Sequence, residues 1–338
     1  MTFMSTTGQT PGPPVPPVGA SGSTGPLRMT PGRWLALAIG VPVALALIGW
    51  TGFSLVGVVA RGSYSFSYPV PVRNGQMSAD VNAGNVTVRQ AAGNTAKVTG
   101  SVRYGLFRPD LTESTTAGVT AVSVNCDGIN SNCDMNATLD VPARTAVTLT
   151  SDGGDIEASG FSSDVTLSAG GGNLTASNLD GNLKLDTGGG DMTGSGLAGT
   201  IQIGAEGGSV NVSNLNGLMR LDTGGGDLTG NGLTGELQMS TEGGNVQGSA
   251  VDSQQVNVQS GGGDVTLVFT QPPQDLRIVA EGGNVNVILP NDATTYDIST
   301  PDNQGANLNI SSALVSSASH HTISVDSGGG DITISQAG

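Results

Sequence analysis

A Gly-Gly pair followed by Asp, Asn or Ser returns at a nearly fixed interval through the second half of this chain. That period limits what the chain can fold into. The residue after the pair is Asp155, Asn173, Asp191, Ser209, Asp227, Asn245, Asp264 and Asn284, and a last Gly-Gly-Gly-Asp run ends at Asp331. The first five steps are 18 residues and the next two are 19 and 20. A unit this short cannot close a core of its own, so neighbouring units must stack. Within each unit one alternating run precedes the glycines and another follows them, as in Leu183-Lys184-Leu185-Asp186 and Val210-Asn211-Val212. Alternation turns Leu, Ile and Val inward and Thr, Lys and Asp outward. The fold this predicts is all-β: a single-stranded parallel β-solenoid with coils of about 18 residues, rising ~4.8 Å per coil.

Glycine at such turns is expected to supply positive φ, which Asp and Asn also tolerate. The column after the glycines reads Asp, Asn, Asp, Ser, Asp, Asn, Asp, Asn. Stacked aspartates would set carboxylates ~4.8 Å apart, and like charges at that distance repel. Alternation doubles the gap. Where the column carries Ser or Asn in the later coils, an acid stands three residues earlier, at Glu206, Glu242 and Glu281. These positions read as a structural turn column, not as a catalytic set.

The rest of the chain divides by composition. Residues 1–32 are rich in Pro, Gly, Ser and Thr and read as a disordered cytoplasmic tail. Residues 33–60 read as one transmembrane helix, because no charge interrupts Trp34 to Ala60. A bilayer needs about 20 apolar residues, and signal-peptide cores run only about 7–15, so an uncleaved anchor is expected. Arg28 and Arg33 precede the span while Arg61 and Arg73 follow it, so positive charge does not set orientation. Residues 64–144 are read as an irregular β region capping the N-terminal end, and 145–338 as the solenoid repeats.

Only two cysteines occur, Cys126 and Cys133, and such a close pair in an exported domain reads as a local disulfide. From Thr145 onward there are 21 acidic residues and three basic ones, Lys184, Arg220 and Arg277. That surface repels nucleic acid and anionic lipid. The cysteines and the acidic remainder orient the N-terminus inside and the repeats outside.

On these residues the chain resembles the bacterial putative-adhesin domain of unknown function, a family of membrane-attached, glycine-rich β-solenoids. The resemblance lies in DVPARTAVTLTSDGGDIEASG (140–160), SGGGDVTLVF (260–269), EGGNVNVILP (281–290), SGGGDITIS (327–335) and the spacing of the turns between them. It covers most of residues 75–335. The resemblance implies a cell-envelope location and roles in adhesion or envelope stress, and it brings no catalytic residue with it.

Enzymatic readings find little support. Asp-Thr-Gly occurs at Asp186 and Asp222, but an aspartic protease needs its two carboxylates ~3 Å apart. Two coils of separation hold these at ~10 Å. Calcium-binding β-rolls use a nine-residue Gly-Gly-x-Gly-x-Asp unit that is incomplete here, leaving Asp186, Asp191, Asp222 and Asp227 as loose oxygen ligands at most. The histidines, His320 and His321, are adjacent and read as a surface pair. The expectation is a non-enzymatic, cofactor-free, single-pass membrane protein with an extracytoplasmic binding or scaffolding surface. Its expected partner is an envelope glycan or protein. An envelope-stress sensor is the first alternative and a glycan-acting enzyme the second.

Overall fold

The computed structural model describes residues 62–72, 74–82, 84–105, 110–116, 119–125, 134–301 and 305–338. The expected tail, the expected membrane span and the expected Cys126–Cys133 disulfide lie outside them. Among the described residues no helix is long and apolar enough to cross a membrane. The architecture is an all-β parallel solenoid, and a 3-10 turn at Ser312–Leu314 is the one helical element described.

A single coil shows how the sequence winds. In Leu174–Thr187 the buried side chains are Leu174, Ala176, Leu179, Leu183, Leu185 and Thr187, while Thr175, Asp180, Asn182 and Lys184 are exposed. Period-2 alternation holds along each wall and slips between 176 and 183. The slip is a corner. There the chain takes positive φ at Asn178, Gly196, Asn214, Gly232 and Ala250 in successive coils, and again at Gly181, Gly199, Gly217 and Gly235. The next strands, Met192–Ala205, Val210–Thr223 and Leu228–Thr241, pair in parallel with an offset of 18 residues throughout. Leu183, Ile201, Met219 and Leu237 therefore stack in one buried column. Each fully buried aliphatic side chain contributes about 1.5–3 kcal/mol.

The turn glycines do something other than the sequence implies. From Gly171 to Gly244, neither glycine of any turn pair has positive φ. The second of each pair is instead a point of close approach between coils. A Cβ on Gly190 would strike the carbonyl of Gly172, one on Gly208 that of Gly190, and one on Gly226 that of Gly208. The first glycine is open: a Cβ on Gly225 would meet nothing within 4 Å. Left-handed backbone and tight stacking both select glycine, and the sequence pattern alone does not separate them.

Among the described residues of 64–144, strands pair in regular register. Gln76–Val81 and Asn85–Ala91 form a coil in register with Ala146–Ser151 and Ile156–Ser159. Val119–Asn125 and Asp134–Pro142 add strands beyond that coil. Antiparallel strands then close the end, with Asp110–Thr116 on one wall, and Thr95–Tyr104 followed by Gly62–Pro71 on the other. The other end also departs from chain order. The last coil, Thr322–Asp326 and Ile332–Gln336, slots between the preceding coil and the three-residue strands Asp297–Ser299 and Leu308–Ile310. Short edge strands of this kind discourage end-to-end pairing.

Tyr296 is buried in this C-terminal cap, edge-on to His321 at 5.7 Å between ring centroids, and its hydroxyl has no hydrogen-bond partner. Burial, with the charge of Asp292 second, pushes the phenol up to about 12. Raising an acid's pKa on folding gives stability that is complete below the unfolded value of about 10 and lost as pH rises through the folded one.

Two outcomes follow. Gly226→Ala is expected to cost more than about 2 kcal/mol and Gly225→Ala less than about 0.5, read as shifts in the urea midpoint. Tyr296→Phe removes an unpaired buried hydroxyl, so it should leave neutral-pH stability equal or higher, and abolish the alkaline loss above about pH 10 seen in a pH series of melting curves.

Candidate functional site

The turn column forms a hydrogen-bonded stack along one edge. Within each of two runs, a side-chain oxygen accepts the backbone N–H of the same position one coil on. Asp155 donates to Asn85 Oδ1 (3.0 Å), Asn173 to Asp155 Oδ1 (2.8 Å), Asp191 to Asn173 Oδ1 (2.9 Å) and Ser209 to Asp191 Oδ1 (2.9 Å). A second run starts at Asp227 and passes through Asn245, Asp264, Asn284 and Asp331 to Asn307, with N–H to Oδ1 distances of 2.8–3.0 Å. In this second run, each Asn that follows Asp also donates its Nδ2 to the carboxylate: Asn245 to Asp227 (3.2 Å), Asn284 to Asp264 (3.2 Å) and Asn307 to Asp331 (2.9 Å). Alternation thus relieves repulsion and adds a donor. Asn85 and Asn307 are members that sequence reasoning missed. Gly84-Asn85-Val86 carries the signal in reduced form, with one glycine in place of two.

A second column, buried and also missed, ties the turns from inside. Thr187 Oγ1 donates to the Gly172 carbonyl and Thr223 Oγ1 to that of Gly208, each at 2.8 Å. Ser260 Oγ donates to the Gly263 carbonyl of its own turn at 2.8 Å. Turns that follow Ala169 and Ala205, which have no hydroxyl, receive theirs from the coil above.

The outer face of the 183–187 wall concentrates charge. Register places Lys184, Gln202, Arg220, Gln238, Asn257 and Arg277 in a single outward column, so all three basic residues after Thr145 share it. The adjacent column carries Asp186, Gly204, Asp222 and Ser240. Lys184 Nζ lies 3.4 Å from Asp186, and Arg220 Nε donates to Asp222 at 2.7 Å while its Nη1 reaches Gln238 Oε1 at 3.4 Å. Exposed pairs of this kind contribute about 0–1 kcal/mol, so they hold side chains in place more than they stabilise the fold. Glu206 and Glu242 stand at the start of their turns, where their N–H groups bond to the Thr187 and Thr223 carbonyls. Together Asp186, Glu206, Asp222, Glu242 and Arg220, over a floor at Gly204, line an open groove of about 860 Å³.

The remaining sequence candidates take plain positions. Asp186 and Asp222 are separated by the coil of Gly204, too far to share a proton. Among the described residues no group of three or more His, Cys, Asp or Glu side chains has an arrangement fit to hold a metal ion. His320 is exposed, whereas His321 is half-buried with its Nδ1 2.8 Å from the Pro273 carbonyl. A carbonyl only accepts, so Nδ1 carries the proton.

Several solved structures are similar to this chain. One is described as a putative cell adhesion protein from Clostridium sporogenes, 13% identical, spanning 82% of this chain and 100% of that one at a TM-score of 0.22. A putative lipid binding protein from Parabacteroides distasonis is 12% identical over 82% and 97%, at 0.38. A putative adhesin from Parabacteroides merdae is 10% identical over 83% and 98%, at 0.36. No protein-family model matches the chain, and no curated protein does.

The stack predicts the effect of breaking its alternation. Asn245→Asp would set three carboxylates in succession between Asp227 and Asp264 and remove the Nδ2 donor. It should destabilise the solenoid by about 1–2 kcal/mol at neutral pH. Chemical denaturation of parent and variant at neutral pH checks both sign and size.

Proposed function

We propose that this protein presents an extracytoplasmic binding and scaffolding surface, tethered to the bacterial cell membrane by the segment 33–60, and that it acts by adhesion to an envelope component and not by catalysis. The observation that carries this reading is the 183–187 wall. Its outward side chains recur at a fixed rise of ~4.8 Å per coil, and its groove is open along its length. Such a surface offers repeated hydrogen-bonding groups to an extended partner. The sequence resemblance to the putative-adhesin family supports the same location and role.

The full-length chain in detergent micelles is expected to bind isolated envelope polymers saturably at physiological salt. A flat, non-saturable response would contradict the reading. In cells, a C-terminal tag should be lost on adding protease after wall removal, with a cytoplasmic control intact. A protected tag would place the repeats on the inner side of the membrane.

A further inference from the structure

The C-terminal cap is joined to the stack differently from the coils beneath it. From Ala146 to Leu289 each coil runs directly into the coil that covers it, as Leu174–Thr187 runs into Met192–Ala205. After Val285–Leu289 the chain passes over a layer. Residues 290–295 carry it past the next position, and Asp297–Ser299 and Leu308–Ile310 are laid down one layer beyond. The chain then returns, and Thr322–Asp326 and Ile332–Gln336 fill the gap. Residues 296–338 thus form a separate body of two layers. The strap 290–295 is its one covalent link to the stack.

The face between this body and the coil below is a finished β edge with its occupant in place. Backbone bonds cross it: Thr322 N–H donates to the Gln274 carbonyl (2.8 Å), Val285 N–H to that of Asp331 (2.9 Å) and Ala337 N–H to that of Leu289 (2.8 Å). Side chains set the register. Asp331 N–H donates to Asn284 Oδ1 (3.0 Å), Thr322 Oγ1 to Asp275 Oδ1 (2.8 Å) and His321 Nδ1 to the Pro273 carbonyl (2.8 Å). Ile323, Val325, Ile332 and Ile334 are fully buried and extend the apolar columns of the coil. Where the strap enters the cap, the closed form leaves one buried polar group unsatisfied, the Tyr296 hydroxyl. Tyr296 belongs to the cap, since its N–H donates to the Leu314 carbonyl (2.7 Å) and its own carbonyl accepts the N–H of Ser316 (2.9 Å).

We infer that the face of the 275–289 coil is a homotypic docking site, and that its partner is the C-terminal cap of a second copy. Opening at the strap exposes a row of unpaired N–H and C=O groups beside buried apolar columns, and such an edge must be paired again. The surface that fits it in register is residues 321–337, from the same chain or from another. Exchange of an identical element keeps every bond across the face. The closed and exchanged forms therefore differ in the strap and in the entropy of bringing two copies together. An attached cap competes at an effective concentration on the order of mM, so dilute copies stay closed and crowded ones exchange. The strap reaches about 20 Å when extended, so the two stacks must meet end to end. Those ends are the ones farthest from Gly62. The inference goes beyond the binding-surface reading and does not rest on it: here the partner is the protein itself.

The test uses full-length chains in micelles carrying Cys126→Ser and Cys133→Ser. Single cysteines are placed as register partners across the face, Asn286→Cys in one chain and Thr333→Cys in another. Neighbouring strands lie ~4.8 Å apart, within disulfide reach. The two variants are unfolded and refolded together in a thiol redox buffer at increasing concentration, and the linked peptides are identified by mass spectrometry. A disulfide from position 286 of one chain to position 333 of the other is expected, its yield rising at least about tenfold between ~1 μM and ~100 μM. Thr266→Cys mixed with Thr333→Cys, two coils and ~10 Å apart, should give at least about tenfold less. Asn286→Cys and Thr333→Cys together in one chain should close within that chain at the lowest concentration, which shows that the cap is folded and in register. Interchain linkage of 286 to 333 no higher than that of the control pair overturns the inference. Linkage chiefly between two 286 positions overturns it as well, because it marks edge-to-edge pairing without exchange. A double variant that does not close within the chain also overturns it, because the cap then does not occupy the face.

Discussion

The structure depends on how closely one coil can sit on the next at the second turn glycine. There the backbone of one coil lies against the carbonyl of its neighbour, leaving no room for a methyl group at Gly172, Gly190, Gly208, Gly226, Gly244, Gly263, Gly283 or Gly330. Contact at that edge fixes the register of everything attached to it. It places Thr187 Oγ1 above the Gly172 carbonyl and Asp155 Oδ1 beneath the Asn173 N–H. It also brings Leu, Ile and Val side chains into straight columns behind them. A side chain at this point would part the coils and loosen the inner and outer hydrogen-bonded columns together. The ends follow the same constraint: Gly154 packs on the carbonyl of Gly84 and Gly330 on that of Gly283.

Much of this was legible in the sequence because the repeat is short and strict. The 18-residue step, the two alternating runs per coil and the Asp/Asn column identify a parallel solenoid without further information. Three things were not legible. The glycines of the turn and of the opposite corner look alike in sequence, although Gly226 is needed for contact and Gly232 for a φ of 66°. The coil at 76–91 has one turn glycine where the later coils have two, so its period is hidden. The last coil lies 47 residues beyond its partner in register, Asn284 to Asp331, because a cap is inserted between them in sequence but not in space.

The candidate site was partly hidden for a similar reason. Asp186, Asp222, Glu206 and Glu242 are easily picked out as acids, but their arrangement depends on the phase slip at the corner. Only when Leu179 and Leu183 are both turned inward do Lys184, Arg220 and Arg277 fall into one outward column beside the aspartates. Simple alternation carried through residues 176–183 misses this. A solenoid converts sequence period into spatial period. A 36-residue double unit therefore becomes a surface that repeats every two coils.

The central claim is that chain register and spatial rise are locked together at one coil per step, including the last coil. Paired spin labels measure this directly. With one label at Glu157 and the second at Gln247, Thr266, Asn286 or Thr333, the positions lie along one outward column. The separations should rise evenly, at ~24, ~29, ~34 and ~38 Å. The last step should equal the others although it spans 47 residues. A jump at Thr333, or distances that do not increase linearly, would contradict the stacking on which both the fold and the proposed surface rest.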